Sequence, residues 1–209
     1  MILIGQYDSP FVRRVAVALN LYGMPYEHRP WSTFGDADRL AAYNPLRRVP
    51  TLLLDADEAL IESTAILDHL DEQVGPDRQL LPPAGVSRRA ALKICALATG
   101  LCDKMVTLIY ERALHEETSE AWVNRCTMQV AGVLSVLEQN CADLHAPYWF
   151  GETPGHADVA VACAMRFLVE AHSNIYSAGD YGALAAHAAR CEALEAFGAV
   201  TQRFDPPSR

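Results

Sequence analysis

Along the first eighty residues the spacing of apolar positions changes repeatedly. Met1 to Gly5 is a short apolar run, interrupted by Asp8-Ser9-Pro10, and predicts a strand followed by a turn. From Phe11 onward Val12, Val15, Ala16, Leu19 and Tyr22 recur at helical spacing until Gly23 ends the pattern. Pro25 and Pro30 bracket a second short strand, and Ser32 to Tyr43 is polar with a weak helical stripe. Thr51 to Leu54 and Ala59 to Ile61 are short apolar runs separated by Asp55-Ala56-Asp57-Glu58, which reads as a hairpin turn. A helix starting at Ser63 carries Ile66, Leu67 and Leu70 on one face. The order βαβ then ββα predicts an α/β arrangement on a mixed sheet.

The grammar changes after GPDRQLLPPAG, residues 75–85, a proline- and glycine-rich stretch that marks a boundary. Beyond it the spacing is helical throughout, over Val86–Leu114, Glu116–Leu144 and His156–His172, with a shorter helix between Gly182 and Phe197. The expected division is an α/β domain over 1–76, a linker over 77–85 and an all-helical domain over 86–209, with DPPSR as a frayed tail.

Composition narrows the function classes. The chain has 209 residues, 51% hydrophobic and 21% charged, with a formal charge of −9, which suits a soluble globular protein. Its acidic balance argues against nucleic-acid and anionic-membrane partners, which need a basic face. It contains no run of about eighteen apolar residues to span a membrane. The first residues lack the basic start and long apolar stretch of a signal peptide, so they are expected to belong to the mature protein. Six cysteines stand at 95, 102, 126, 141, 163 and 191, none with CxxC spacing, which excludes a zinc ribbon or a thioredoxin-type dithiol. They are expected to be buried, reduced thiols of a cytoplasmic protein. The seven histidines show no ligand pair, so no metal is expected.

Three segments carry candidate chemistry. In Asn44-Pro45-Leu46-Arg47-Arg48-Val49-Pro50-Thr51-Leu52, a proline stands where it cannot donate to a strand ladder. It is either an ordinary trans loop proline or a cis one, a form found in about 5% of X–Pro bonds, that turns the Val49 backbone outward to meet an extended ligand. In Leu60-Ile61-Glu62-Ser63-Thr64, Ser63 reads as an N-cap. Such a helix start also attracts an anion, so a ligand carboxylate can sit at Ser63 while Glu62 holds an ammonium group. Ser9 precedes Pro10, a favoured first helical residue. It is either a plain cap or a hydroxyl aimed at a ligand over that helix.

SPFVRR, NPLRRVPTL and LIESTAILDHL together resemble the N-terminal, thioredoxin-like domain of the glutathione transferases, in order and separation across residues 1–72. GETPGHADVAVACA resembles that family's helix-capping segment, and the pattern is most similar to bacterial serine-type members. The resemblance implies that Pro50 is cis and that Val49 pairs its backbone with the cysteinyl part of glutathione. It further implies that Glu62 and Ser63 hold the γ-glutamyl end and that Arg48 approaches the glycyl carboxylate. Ser9 would bond the glutathione sulfur with Phe11 nearby, and Asp158 would cap the helix that Gly155 begins.

The sequence departs from the family at Gly155, which replaces the usual Ser/Thr cap. Tyr7, two residues before Ser9, is a rival donor to the sulfur. Met105, Ile109 and Tyr110 are candidates for an apolar second-substrate pocket, against the plain alternative that they are core. Arg13, Arg14, Arg47 and Arg48 are expected to flank the anionic tripeptide. The implied activity is conjugation of glutathione to a small, mostly apolar electrophile by a homodimer. A glutathione-dependent disulfide or peroxide reductase and a non-catalytic glutathione-binding module remain alternatives.

Overall fold

The computed structural model describes residues 1–54, 58–174 and 181–207. The centre of the predicted hairpin turn at 55–57 and the last two residues of the tail lie outside this range. The α/β part runs β1 (Ile2–Ile4), α1 (Pro10–Tyr22), β2 (Glu27–Arg29), α2 (Ala37–Ala41), β3 (Thr51–Leu53), β4 (Ala59–Ile61) and α3 (Ser63–Val74). Its sheet has the order β2-β1-β3-β4. β1 pairs parallel with β2 and antiparallel with β3, and β3 pairs antiparallel with β4. This is the mixed sheet the βαβ–ββα order predicts.

The helical part comprises α4 (Gly85–Leu114), α5 (Glu120–Ala142), α6 (His156–Ala171), α7 (Gly182–Glu192) and α8 (Glu195–Gly198). The single short helix expected near the end is therefore two. Leu194 adopts an extended backbone between them, and the turn lets Phe197 bury completely in the core shared with α1. No helix among the described residues is long and apolar enough to cross a membrane.

The expected apolar stripe of α1 is buried, but so is most of its opposite face. One core cluster joins Leu3 and Leu52 of the sheet, Val12, Val15, Ala16 and Leu19 of α1, and Val159, Ala162 and Cys163 of α6. Since α1 lies between sheet and bundle, Arg13 and Arg14 turn inward and do not flank a ligand, contrary to expectation. Arg13 uses its whole fork: Nη1 and Nη2 donate to Glu192 at 2.6 and 2.8 Å, and Nε donates to the Val200 carbonyl at 2.9 Å. Arg14 is buried, and its Nε and Nη1 have no hydrogen-bond partner among the described residues.

The two parts meet at Asp71 of α3. One of its oxygens accepts from the Tyr22 hydroxyl of α1, from the Leu80 amide of the connecting segment at 3.0 Å, and lies 3.1 Å from His156 Nε2 of α6. All six cysteines are free and buried. Burial pushes the Cys163 and Cys141 thiols up to about 11, so they stay protonated and inert at neutral pH.

Candidate functional site

The first turn of α1 opens onto a cavity of about 580 Å³ between the sheet part and the helices. Ser9 caps α1 with an extended backbone, and its Oγ accepts from the Val12 amide at 3.4 Å. Its own proton is left for another acceptor. Pro10 occupies the first helical position and brings no N–H. Ser9, Phe11, Arg48, Val49 and Tyr110 all line the cavity, as does Ile109.

Tyr7 does not. Its ring stacks on His28 at 3.8 Å and its hydroxyl meets that of Tyr26 at 2.9 Å, away from the cavity. Burial pushes its pKa up, with the Tyr26 hydrogen bond opposing, so it is a poorer source of charge than an ordinary phenol. Met105 is also absent from the lining: it is fully buried in the core of the helical part. The apolar spacing that nominated it belongs to the inward stripe of α4, while Val106, Ile109 and Tyr110 face the cavity.

The Val49–Pro50 bond is cis, Pro50 is buried, and neither backbone polar group of Val49 is hydrogen-bonded among the described residues. Two residues that sequence reasoning passed over hold this loop. The buried Asn44 donates to the Arg48 carbonyl at 2.9 Å and accepts from the Leu46 amide at 3.0 Å, clasping the turn that leads to Val49. Gly5, at φ +131, lies beneath it, and a Cβ there would stand 2.5 Å from Val12 Cγ2 and 2.8 Å from Val49 Cβ. The signal for Gly5 was a glycine at the end of the first apolar run, and for Asn44 the Asn-Pro pair itself.

Ser63 is not the N-cap of α3 but its first helical residue. Glu62 holds the cap position with φ 67 and ψ 122 and makes no side-chain cap bond. A positive φ at a non-glycine residue is a costly conformation of the kind found at ligand sites. Because β4 enters the helix through this left-handed turn, Ser63 is carried inside the first turn and is nearly fully buried. The first amides of α3 therefore lack both an intrahelical acceptor and a side-chain cap, an arrangement suited to an anion. Glu62 and Ser63 lie outside the cavity lining and are linked to it by Arg48, whose Nη1 is 3.7 Å from Glu62 Oε1. Arg47 points elsewhere and pairs with Asp38 at 3.2 Å.

Outside the cavity lining, Asp158 caps α6. It is fully buried and accepts from the Gly155 amide at 2.8 Å and the Trp149 amide at 3.0 Å. Glycine stands at 155 for a reason: a Cβ there would lie 2.7 Å from the Leu80 carbonyl oxygen, which accepts from the His156 amide at 3.0 Å.

Residues 3–78 match the family described as Glutathione S-transferase, N-terminal domain, and residues 120–190 match Glutathione S-transferase, C-terminal domain. Maleylacetoacetate isomerase of Pseudomonas aeruginosa is 32% identical over 171 residues, covering 76% of this chain and 77% of that protein. A glutathione S-transferase of Methylobacterium radiotolerans, solved in complex with glutathione sulfonate, superposes with a TM-score of 0.91 at 27% identity, covering 100% of this chain and 97% of that one. A glutathione transferase family member of Pseudomonas fluorescens, solved with bound glutathione, gives 0.81 at 30% identity, covering 99% and 98%.

Proposed function

The chain belongs to the glutathione S-transferase family, and from that premise we propose that it binds glutathione, stabilises its thiolate and joins it to an electrophilic, mostly apolar substrate. The observation that carries this reading is the Ser9 hydroxyl at the start of α1, in a cavity that Val49, whose backbone is unpaired among the described residues, also lines. On this reading residues 1–76 bind glutathione, 77–85 connect, and 86–209 supply the second-substrate wall. Val49 pairs with the cysteinyl backbone, Glu62 and Ser63 take the γ-glutamyl end, and Arg48 takes the glycyl carboxylate. The protein works in the cytoplasm as a homodimer, with glutathione as cosubstrate and no metal.

A free thiol titrates near 8.5. A hydrogen bond to a charged acceptor contributes about 1.5–3 kcal/mol, or roughly one to two pKa units. One donor from Ser9 and the positive end of α1 therefore leave much of the bound thiol ionised at neutral pH. The thiolate attacks an electrophilic carbon, and the leaving group departs with its electron pair. A second reading, glutathione-dependent isomerisation, is favoured by the similarity to maleylacetoacetate isomerase. There the same thiolate adds reversibly to a conjugated double bond and is released unchanged.

Ultraviolet titration of bound glutathione tests the assignment. A thiol pKa below 8 is expected in the wild type, returning toward the free value in Ser9→Ala and unchanged in Tyr7→Phe. The reverse pattern would transfer the role to Tyr7, and absence of glutathione binding would overturn the proposal.

A further inference from the structure

One wall of the cavity is built by a segment beyond both matched ranges. Phe204 and Asp205 line it together with Pro206 and Pro207, and three bonds strap this segment across the site. The Tyr7 amide donates to Gln202 Oε1 at 3.0 Å, the Phe204 amide to Glu170 Oε2 at 2.9 Å, and the Asp205 amide to Asp8 Oδ2 at 3.1 Å. Two of the three attachments fall on the residues that immediately precede Ser9.

The walls are aromatic and the charge is one-sided. Phe34 meets Tyr110 edge-on at 5.3 Å, and Phe167 meets Phe204 edge-on at 5.5 Å, with Phe11 in the same lining. Four charged groups other than those walls line the space: Arg48, Asp103, Asp8 and Asp205. Asp103 is paired with Lys104 at 2.8 Å. Arg48 leans to Glu62, toward the end assigned to glutathione. Asp8 and Asp205 thus stand together with no basic side chain bonded to either among the described residues. Burial and the neighbouring Asp205 push the Asp8 pKa up, with the Asp205 amide opposing.

Resting on the glutathione reading above, we propose that Asp8 and Asp205 make this pocket select against electrophiles bearing a negative charge and favour flat, uncharged or cationic ones. A carboxylate placed among the aromatic rings loses water, finds no cation but Arg48, which the glutathione reading already engages, and faces the negative ends of two side chains. An ammonium group gains from both the carboxylates and the ring faces.

Product analogues test this without requiring turnover. Calorimetry at pH 7 with the full chain compares glutathione, S-benzylglutathione, S-(4-carboxybenzyl)glutathione and S-(4-aminomethylbenzyl)glutathione. The benzyl and aminomethyl conjugates are expected to bind at least about tenfold more tightly than the carboxybenzyl one. In the Asp8→Asn/Asp205→Asn double variant that ratio is expected to fall to within about threefold. Equal binding of the carboxybenzyl and benzyl conjugates in the wild type, or an unchanged ratio in the double variant, would overturn the inference. Failure of glutathione itself to bind separates the other case, since it removes the parent reading first.

Discussion

Helix starts in this molecule are finished in two opposite ways. At α6 the donors at the helix start are met from within: Asp158 takes the amides of Gly155 and Trp149, and the Leu80 carbonyl takes that of His156. At α1 and α3 the protein stops short. Ser9 meets one amide at a long 3.4 Å, and Glu62 caps nothing with its side chain. Filled donors at α6 contribute to the fold, whereas unfilled ones beside a cavity leave room for a ligand.

Substitutions at the two ends should therefore separate stability from binding. The largest loss is expected for Asp158→Ala, which removes a fully buried carboxylate and leaves two half-buried amides without their acceptor; about 3 kcal/mol should disappear from the unfolding free energy in urea. An acid effect of similar size belongs to the same region. Burial depresses His187, 3.4 Å from Asp158, to about 4, so the unfolded chain binds the proton more tightly. Stability from this group is complete above pH 6.5 and is lost as pH falls toward 4, by about 3 kcal/mol. The gap between denaturation curves at pH 7 and 5 should narrow in His187→Gln, with the remainder carried by His156 and His172, which burial also depresses.

Gly155→Ser sharpens the contrast further, because a serine cap is ordinarily worth a few tenths of a kcal/mol over glycine. Here the Leu80 carbonyl is in the way, and a loss of about 1 kcal/mol is expected in thermal melts; a gain would show that the connecting segment yields. The smallest stability effect is expected at the open end. Ser63→Ala should cost less than about 1 kcal/mol yet lower glutathione affinity about tenfold by calorimetry. Equal losses at both ends would erase the distinction.

Segments whose chemistry is local were legible in the sequence. Ser9-Pro10 reads as an N-cap followed by a favoured first helical residue, and the α1 stripe ends at Gly23 as its φ of 68 requires. What could not be read depends on what arrives from elsewhere. Arg13 and Arg14 look like surface residues until α6 and α8 cover them. Met105 and Tyr110 stand on the same apolar helix, and only the position of the sheet part decides which face of it lines the cavity. Phe34 and Phe204 sit in polar segments, WSTFGD and TQRFDPP, where no periodicity announces a wall. The cap at α3 stands one residue earlier than residue types suggest, because a positive φ at Glu62 has no signature in residue type.

The shared oxygen of Asp71 has a thermodynamic consequence. Donors from α1, from the connecting segment and from α6 converge on a single atom, and α1 is packed on both sides. Neither the sheet nor the bundle can open without exposing the other's core. Heating should accordingly produce one sharp transition in which calorimetric and van't Hoff enthalpies agree, the two halves melting as one cooperative body.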